Sequence, residues 1–101
     1  MTLPVFLFIE ATPNMAERES LQSYLSQVPT IVYQHAGVPI ATYDVEKTLD
    51  EQEAPSVYSV ISFPSRQAID AFFADEAYQA IVPIRNKAFS HLRFHVTSER
   101  I

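Results

Sequence analysis

The sequence of 101 residues contains no cysteine and only one glycine, and both absences exclude whole classes of chemistry. Without cysteine the chain forms no disulfide, thiolate nucleophile, iron–sulfur cluster or cysteine-ligated zinc site. Phosphate-binding loops such as G-x-G-x-x-G and G-x-x-x-x-G-K-[ST] need several backbone positions that lack a Cβ atom, and Gly37 alone cannot supply them. We therefore expect neither a bound nucleotide nor any other cofactor.

Basic charge is also scarce in this chain. Seven Lys and Arg residues stand against twelve Asp and Glu residues, which gives a formal net charge of −5. An acidic chain lacks the basic patch that attracts nucleic acid or anionic lipid, so we expect neither nucleic acid nor membrane as a partner. The apolar run at residues 5–9 is shorter than a secretory h-region and far shorter than the roughly 20 residues of a membrane span. Residues 1–101 are expected to form a single cytoplasmic domain.

Hydrophobic patterning predicts four strands and two helical regions in the order β-α-β-β-α-β. With right-handed crossovers this order builds a four-stranded antiparallel sheet with the helices on one face, the ferredoxin-like sandwich of the α+β class. The strands are predicted over residues 4–11, 38–48, 56–63 and 90–98. The helices are predicted over residues 14–36 and 65–89, with a break at Asp75.

Four residues are expected to bend, start or end the helices. Pro29 lacks the N–H that would bond to the carbonyl of Leu25, so we expect a kink or two abutting helices there. Gly37 is expected to end the first helix in the left-handed conformation that glycine adopts without strain. Ser65 and Asp75 are predicted N-caps, because their short polar side chains accept hydrogen bonds from the first backbone N–H groups of a helix.

The central strands are apolar on both faces, although the helices cover one face only. In the first strand, Phe6 and Phe8 point one way while the apolar residues between them point the other. Tyr58 and Val60 repeat this arrangement in the third strand. Each large apolar side chain left in water forgoes about 1.5–3 kcal/mol of burial energy. We therefore expect a homodimer in which the two sheets pack against each other.

A spaced set of aromatic, proline and charged positions runs through the second half of the chain. It consists of Phe63-Pro64-Ser65, Ala68, Phe72-Phe73, Glu76-Ala77-Tyr78-Gln79, Ile84-Arg85 and Ser90. The matching positions in the first half are Tyr24, Pro29 and the segment from Tyr33 to Gly37. Together these positions resemble the bacterial family of uncharacterised proteins called domain of unknown function thirteen-thirty, within the dimeric α/β-barrel superfamily. The resemblance covers residues 5–97.

This resemblance implies the fold and the homodimer, and it implies no reaction because the activity of the family is not established. The superfamily includes cofactor-free monooxygenases, haem-degrading enzymes, muconolactone isomerases and dehydratases, which often use a pocket between the sheet and the helices. A shared fold does not fix a function. The sequence departs from the family at two turns. Ala36 occupies the first position of a usual Gly-Gly pair, and no glycine follows the last strand.

Five polar residues are candidates for a site. Arg85 in the last helix could anchor a substrate carboxylate through its planar donors; the alternative is a helix C-terminal cation paired with Asp or Glu. His35 near the end of the first helix is a candidate catalytic acid or base; the alternative is a partly exposed side chain bonded to a nearby carbonyl. The hydroxyls of Tyr24, Tyr33 and Tyr43 are candidate ligand-binding groups, although tyrosines are often core residues.

His91 and His95 lie on one face of the predicted last strand, about 13 Å apart at ~3.3 Å per residue. Because a Zn–N bond is about 2 Å long, the two cannot share a metal ion within one chain, and we expect no metal site. Haem binding would need one of the three histidines as its axial ligand.

Two functions are compatible with the sequence. The first is a cofactor-independent enzyme or binding protein for a small organic acid, similar to a monooxygenase or an isomerase. The second is a non-catalytic dimeric module that serves in a stress response or binds a partner.

Overall fold

The computed structural model describes residues 3–50 and 54–100. Its strands are β1 (Val5–Pro13), β2 (Val38–Asp44), β3 (Val57–Phe63) and β4 (Phe89–Ser98). Its helices are α1 (Arg18–Gln34), which follows a 3-10 turn, α2 (Arg66–Ala74) and α3 (Glu76–Ala88). The strands form an antiparallel sheet in the order β2-β3-β1-β4. This is the predicted ferredoxin-like α+β fold, and within one chain the sheet is not closed into a barrel.

The second strand is shorter than predicted. β2 ends at Asp44 rather than at residue 48, because the residue opposite Asp44 is Val57, where β3 begins. The N–H of Val45 still donates to the carbonyl of Ser56 at 2.8 Å. Ala54 and Pro55, which would lie opposite the next two residues, are not in a strand, so the hydrogen-bonded ladder ends here.

α1 is one continuous helix, so the expectation of two abutting helices at Pro29 is wrong. Proline removes a single backbone hydrogen bond from the helix. Pro29 itself is exposed, whereas Ile31 and Val32 in the next half-turn are buried in the core. The burial of these two side chains, at about 1.5–3 kcal/mol each, offsets the lost bond and keeps the last turn helical.

The turn after α1 corrects a second expectation, because Ala36 rather than Gly37 has the left-handed conformation, with φ of 60°. The N–H of Gly37 donates to the carbonyl of Val32 at 2.9 Å, and the N–H of Ala36 donates to the carbonyl of Tyr33 at 3.1 Å. These two bonds form a Schellman motif. Gly37 is needed for a different reason, since a Cβ atom there would lie 2.6 Å from Val32 Cγ1 and 2.9 Å from Phe63 Cε1.

Both predicted N-caps are confirmed. Ser65 Oγ accepts a hydrogen bond from the N–H of Ala68 at 3.1 Å, and Asp75 Oδ1 accepts one from the N–H of Ala77 at 2.8 Å. Asp75 therefore divides the second helical region into α2 and α3, as the sequence indicated. Of the helices in the described residues, none is long and apolar enough to cross a membrane.

The helices cover one side of the sheet, which we call the helix-covered face. They leave the other side, which we call the open face, uncovered within one chain. On the helix-covered face, Leu7 of β1 and Phe63 of β3 are fully buried in one core with Ile69 of α2 and Tyr78 of α3. On the open face, Phe8 is 41 % exposed. The strand register assigns to the open face the residues Phe6, Phe8, Glu10, Tyr58, Val60, His91, Arg93 and His95.

Candidate ligand-binding site

A cavity of about 380 Å³ lies between α1 and the helix-covered face of the sheet. Known ligand pockets occupy roughly 300–1,000 Å³, so this space suffices for a small organic molecule. The apolar stripe of α1 forms its roof, and residues from all four strands form its floor. Its lining is mostly apolar and includes Ile9, Leu21, Val28, Val32, Ile61 and Phe94.

Three polar side chains interrupt this apolar lining. Thr42 of β2 and Ser59 of β3 are neighbours across the two strands, and their hydroxyl oxygens lie 3.0 Å apart, so they hydrogen-bond to each other. The third is Tyr24 of α1, which is 6 % exposed and borders the cavity. Tyr24 is therefore the polar side chain of the lining that is not engaged with another lining residue.

A smaller cavity of about 280 Å³ adjoins the first. Arg85 and Asn86 of α3 line this second cavity and do not line the first. The guanidinium Cζ of Arg85 lies 5.7 Å from the ring centre of Tyr78, within the range of a cation–π contact. The two cavities share the lining residues Phe89, Leu92 and Phe94.

Arg85 has no acidic partner within residues 3–50 and 54–100. Its hydrogen bonds go from Nη1 to the hydroxyl of Tyr78 at 3.1 Å and from Nη2 to Oδ1 of Asn86 at 3.4 Å. The side chain is half-buried and so is partly withdrawn from water. A guanidinium in this situation is suited to receive a carboxylate from a ligand, because its donors match the two carboxylate oxygens.

Tyr78 links the Arg85 side chain to Tyr24, and we call these three residues the Arg85–Tyr78–Tyr24 network. The hydroxyl of Tyr78 receives the Nη1–H of Arg85 and lies 2.9 Å from the hydroxyl of Tyr24. Burial raises the pKa of Tyr24 well above its ordinary value of 10, the nearby Tyr78 adds to this increase, and the charge of Arg85 opposes it. The Tyr24 hydroxyl therefore stays protonated at neutral pH.

The other predicted site residues lie away from the two cavities. His35 Nε2 is 2.7 Å from Oδ2 of Asp75, a contact that joins the end of α1 to the start of α3. This contact and the N–H of Ala77 hold the pKa of Asp75 below its ordinary value. Tyr33 and Tyr43 are 64 % and 59 % exposed, and neither borders the two cavities. The expected roles of His35, Tyr33 and Tyr43 stay predictions.

Tyr78 is the member of the network that the sequence did not select as a ligand-binding residue. It precedes Arg85 by seven residues on α3, which is two helical turns, so both side chains emerge on one face. That spacing is a signal that could have identified the pair. The contact with Tyr24, which is 54 residues away in sequence, depends on the packing of α1 against α3 and has no such signal.

A second polar cluster surrounds Glu10 on the open face. Glu10 Oε2 lies 2.7 Å from Nε2 of His95 and 3.9 Å from Nη1 of Arg93, and Oε1 accepts a hydrogen bond from the Tyr58 hydroxyl at 3.1 Å. The hydrogen bond from His95 contributes most to lowering the pKa of Glu10, so this carboxylate is ionised and a weak base. In the described part of the chain, Nε2 of His91 is buried without a hydrogen-bond partner, and no three potential metal ligands cluster.

Comparisons with known proteins agree with this architecture. No curated protein is significantly similar to the chain. A protein of unknown function from Rhodopseudomonas palustris is 14 % identical, with a TM-score of 0.82 over 100 % of this chain and 85 % of that one. A dimeric ferredoxin-like protein of unknown function from Jannaschia sp. CCS1 is 8 % identical, with a TM-score of 0.70 over 95 % and 99 % of the two chains. The cofactor-independent oxygenase SnoaB from Streptomyces nogalater is 11 % identical, with a TM-score of 0.67 over 97 % and 94 %.

At these identities the structural similarities establish the fold and leave the ligand and the reaction open. Family membership is established by the sequence itself. Residues 5–97 match the family described as "Domain of unknown function (DUF1330)". The matched region contains the cavity and the whole Arg85–Tyr78–Tyr24 network. This chain therefore belongs to the family called domain of unknown function DUF1330.

Proposed function

We propose that the protein binds a small organic acid, with the apolar part of the ligand under α1 and its carboxylate on Arg85. The observation that carries this proposal is a half-buried guanidinium beside an apolar cavity, without an acidic partner among the described residues. The guanidinium supplies the charge and the paired donors that a carboxylate needs. Because the two cavities share three lining residues, one ligand can contact both.

We also propose that any transformation of this ligand proceeds without a cofactor, in the manner of a monooxygenase or an isomerase. The similarity of fold to SnoaB, which is described as a cofactor-independent oxygenase, supports this class of reaction at the level of fold alone. The side chains offered to the reacting molecule are the Tyr24 hydroxyl and the Arg85 guanidinium. The alternative, a non-catalytic dimeric module, predicts that the cavity takes no small molecule.

We propose further that the functional unit is a homodimer packed through the open face. Phe8 and Tyr58 are 41 % and 38 % exposed in the single chain, and monomers rarely keep apolar patches of this kind uncovered. The similar protein from Jannaschia is described as dimeric, which supports the proposal. The cytoplasmic location expected from the sequence stays a prediction.

Calorimetric titration with a panel of aromatic and unsaturated carboxylic acids, each beside its uncharged amide, tests the binding proposal. Arg85→Gln should weaken the bound acids about tenfold or more, because hydrogen bonds to charged groups contribute about 1.5–3 kcal/mol. The amides should bind wild type and Arg85→Gln alike. Arg66→Gln is the matched control, since Arg66 is an exposed arginine of α2, and it should bind like wild type.

Equal affinity of wild type and Arg85→Gln for every bound acid would contradict the role of Arg85. No binding by any acid or amide of the panel would favour the non-catalytic module.

A further inference from the structure

We infer that Tyr24 donates a hydrogen bond to the ligand, and hence that the ligand carries an acceptor oxygen, such as a ketone or quinone carbonyl, on its apolar part. This inference rests on the proposed ligand-binding role of the cavity and adds a second recognition group to Arg85. It follows from the direction in which the hydrogen bonds of the Arg85–Tyr78–Tyr24 network must run.

Arg85 sets that direction because a guanidinium donates hydrogen bonds and accepts none. The Tyr78 hydroxyl oxygen therefore accepts from Nη1 at 3.1 Å. Tyr78 is 0 % exposed, and within the described residues its hydroxyl has one other partner, the hydroxyl of Tyr24 at 2.9 Å. The hydrogen of Tyr78 is thus donated to Tyr24, since the opposite direction would leave that hydrogen buried without an acceptor.

Tyr24 then accepts from Tyr78 and keeps its own hydrogen for another acceptor. Among residues 3–50 and 54–100, its hydroxyl has no hydrogen-bond partner except Tyr78. Buried hydroxyl groups are nearly always paired, and the open space beside Tyr24 is the apolar cavity. Thr42 and Ser59, the other polar groups of the lining, bond to each other, and neither is a hydrogen-bond partner of Tyr24. The acceptor for Tyr24 therefore belongs to the ligand.

A neutral donor in apolar surroundings favours a neutral acceptor. A carbonyl oxygen satisfies the donor without bringing charge into the cavity, whereas a carboxylate placed there would lose its hydration without a counter-charge. Arg85, which lines the adjoining cavity, is the group proposed to bind the carboxylate of the ligand. The expected ligand is therefore an organic acid with a carbonyl-type oxygen on its apolar part. Toward that oxygen Tyr78 and Arg85 are positioning residues, because they fix the direction in which Tyr24 donates its hydrogen.

The test uses 1-tetralone and tetralin, which share a bicyclic frame and differ in one carbonyl oxygen. Wild type should bind the ketone about three- to tenfold more tightly than the hydrocarbon, as expected for one net hydrogen bond. Tyr24→Phe should lose this preference. Tyr58→Phe should keep it, because it removes the same group from a tyrosine on the open face that does not line the cavity.

The infrared carbonyl stretch of bound 1-tetralone distinguishes a hydrogen bond from an effect of packing. We expect a lowered frequency in wild type and Tyr58→Phe, the unbonded frequency in Tyr24→Phe, and an intermediate value in Tyr78→Phe. The intermediate value follows because Tyr24 then donates without being polarised by the rest of the network. Circular dichroism establishes that each variant is folded, and Tyr78→Phe tests the network with the Tyr24 hydroxyl in place.

Three outcomes count against the inference. An unchanged ketone preference and carbonyl frequency in Tyr24→Phe would overturn it while leaving the binding of acids by Arg85 intact. Loss of binding of both bicyclic probes, with acids of the panel still bound, would also overturn it. Failure of the probes and of the whole panel would overturn the proposed function itself.

Discussion

The two faces of the sheet hold their polar groups in different ways. On the helix-covered face, Arg85 lies next to two phenol hydroxyls and has no carboxylate partner in the described residues. On the open face, the carboxylate of Glu10 is surrounded by His95, Arg93 and a tyrosine hydroxyl. Among the described residues, Arg85 on one face therefore has no counter-charge, whereas Glu10 on the other face is paired with charged and polar side chains of the same face.

This difference follows from what covers each face. α1 and α3 cover the helix-covered face and leave Arg85 half-buried, where attraction to a ligand carboxylate is screened less by water than at an exposed site. The open face has no cover within one chain, and a second copy that packs on it would bury Glu10 with its partners already in place. This difference is consistent with the two proposals, ligand binding under the helices and self-association through the open face.

The two largest effects are expected from substitutions of one apolar residue on each face of the sheet. Phe63→Ala removes a side chain that is 0 % exposed and should lower the free energy of unfolding by about 3–5 kcal/mol. Phe8→Glu places a charge on the open face and should convert the proposed homodimer to a folded monomer, because an unpaired interfacial charge costs about 2–5 kcal/mol. Chemical denaturation measures the first change, and light scattering at micromolar concentration measures the second.

Met15→Glu is the control for Phe8→Glu, since Met15 is 59 % exposed and lies outside the sheet. It should leave the mass of a dimer unchanged. A monomeric mass for wild type would refute the homodimer, and a dimeric Phe8→Glu variant would move the interface away from the open face.

Next in size is the pH dependence caused by Glu10. Its pKa is lowered in the folded protein, so the ionised carboxylate stabilises the fold above its ordinary value of 4.5, and this contribution is lost as the pH falls through the lowered value. Glu10→Gln should therefore be less stable than wild type at pH 7, and the difference should shrink below about pH 4.5.

Thermal melting curves from pH 3 to pH 7 measure this difference, and Glu46→Gln is the control because Glu46 is exposed beyond the end of β2. The Glu46 variant should follow wild type at every pH. A Glu10→Gln deficit that persists unchanged at pH 3 would show that the carboxylate charge is not its cause.

The smallest effect concerns the turn that leads from α1 on the helix-covered face to β2. Ala36→Gly should raise the free energy of unfolding by about 0.5–1 kcal/mol, because glycine adopts a φ of 60° without the strain of a Cβ atom. Ala71→Gly, at an exposed position inside α2, should lower it by a similar amount. Denaturation midpoints that fall for both variants would exclude strain at Ala36.

Local signals in the chain predicted the helix boundaries well, and long-range contacts explain where they failed. Ser65 and Asp75 were identifiable as caps because a cap bonds to a backbone group two or three residues away. Gly37 was misjudged because its role is set by the ring of Phe63, which β3 brings against the turn. At Pro29 the expectation of two abutting helices was wrong, because the burial of the residues after it, and not its own propensity, keeps α1 continuous.

The candidate site shows the same division. Arg85 and Tyr24 were identifiable by chemistry, since a planar cation and a phenol are common ligand-binding groups. The link through Tyr78 was not, because it requires α1 to pack against α3. Tyr33, one of the candidates, is on α1 as well, but it projects to solvent. Residue type alone cannot separate two tyrosines on opposite sides of one helix.

The sequence by itself determined the ferredoxin-like order of elements, the apolar character of both sheet faces and the exclusion of thiol and phosphate-loop chemistry. These properties depend on composition and on periodicities of two and 3.6 residues, which are local. Only the tertiary structure decided that a cavity remains under α1, that Arg85 lacks a counter-charge in the described residues and that Tyr24 has a hydrogen left to donate. Those properties depend on which groups meet across elements far apart in the chain, and hydrogen bonds and ion pairs are fixed by distances that no local pattern encodes.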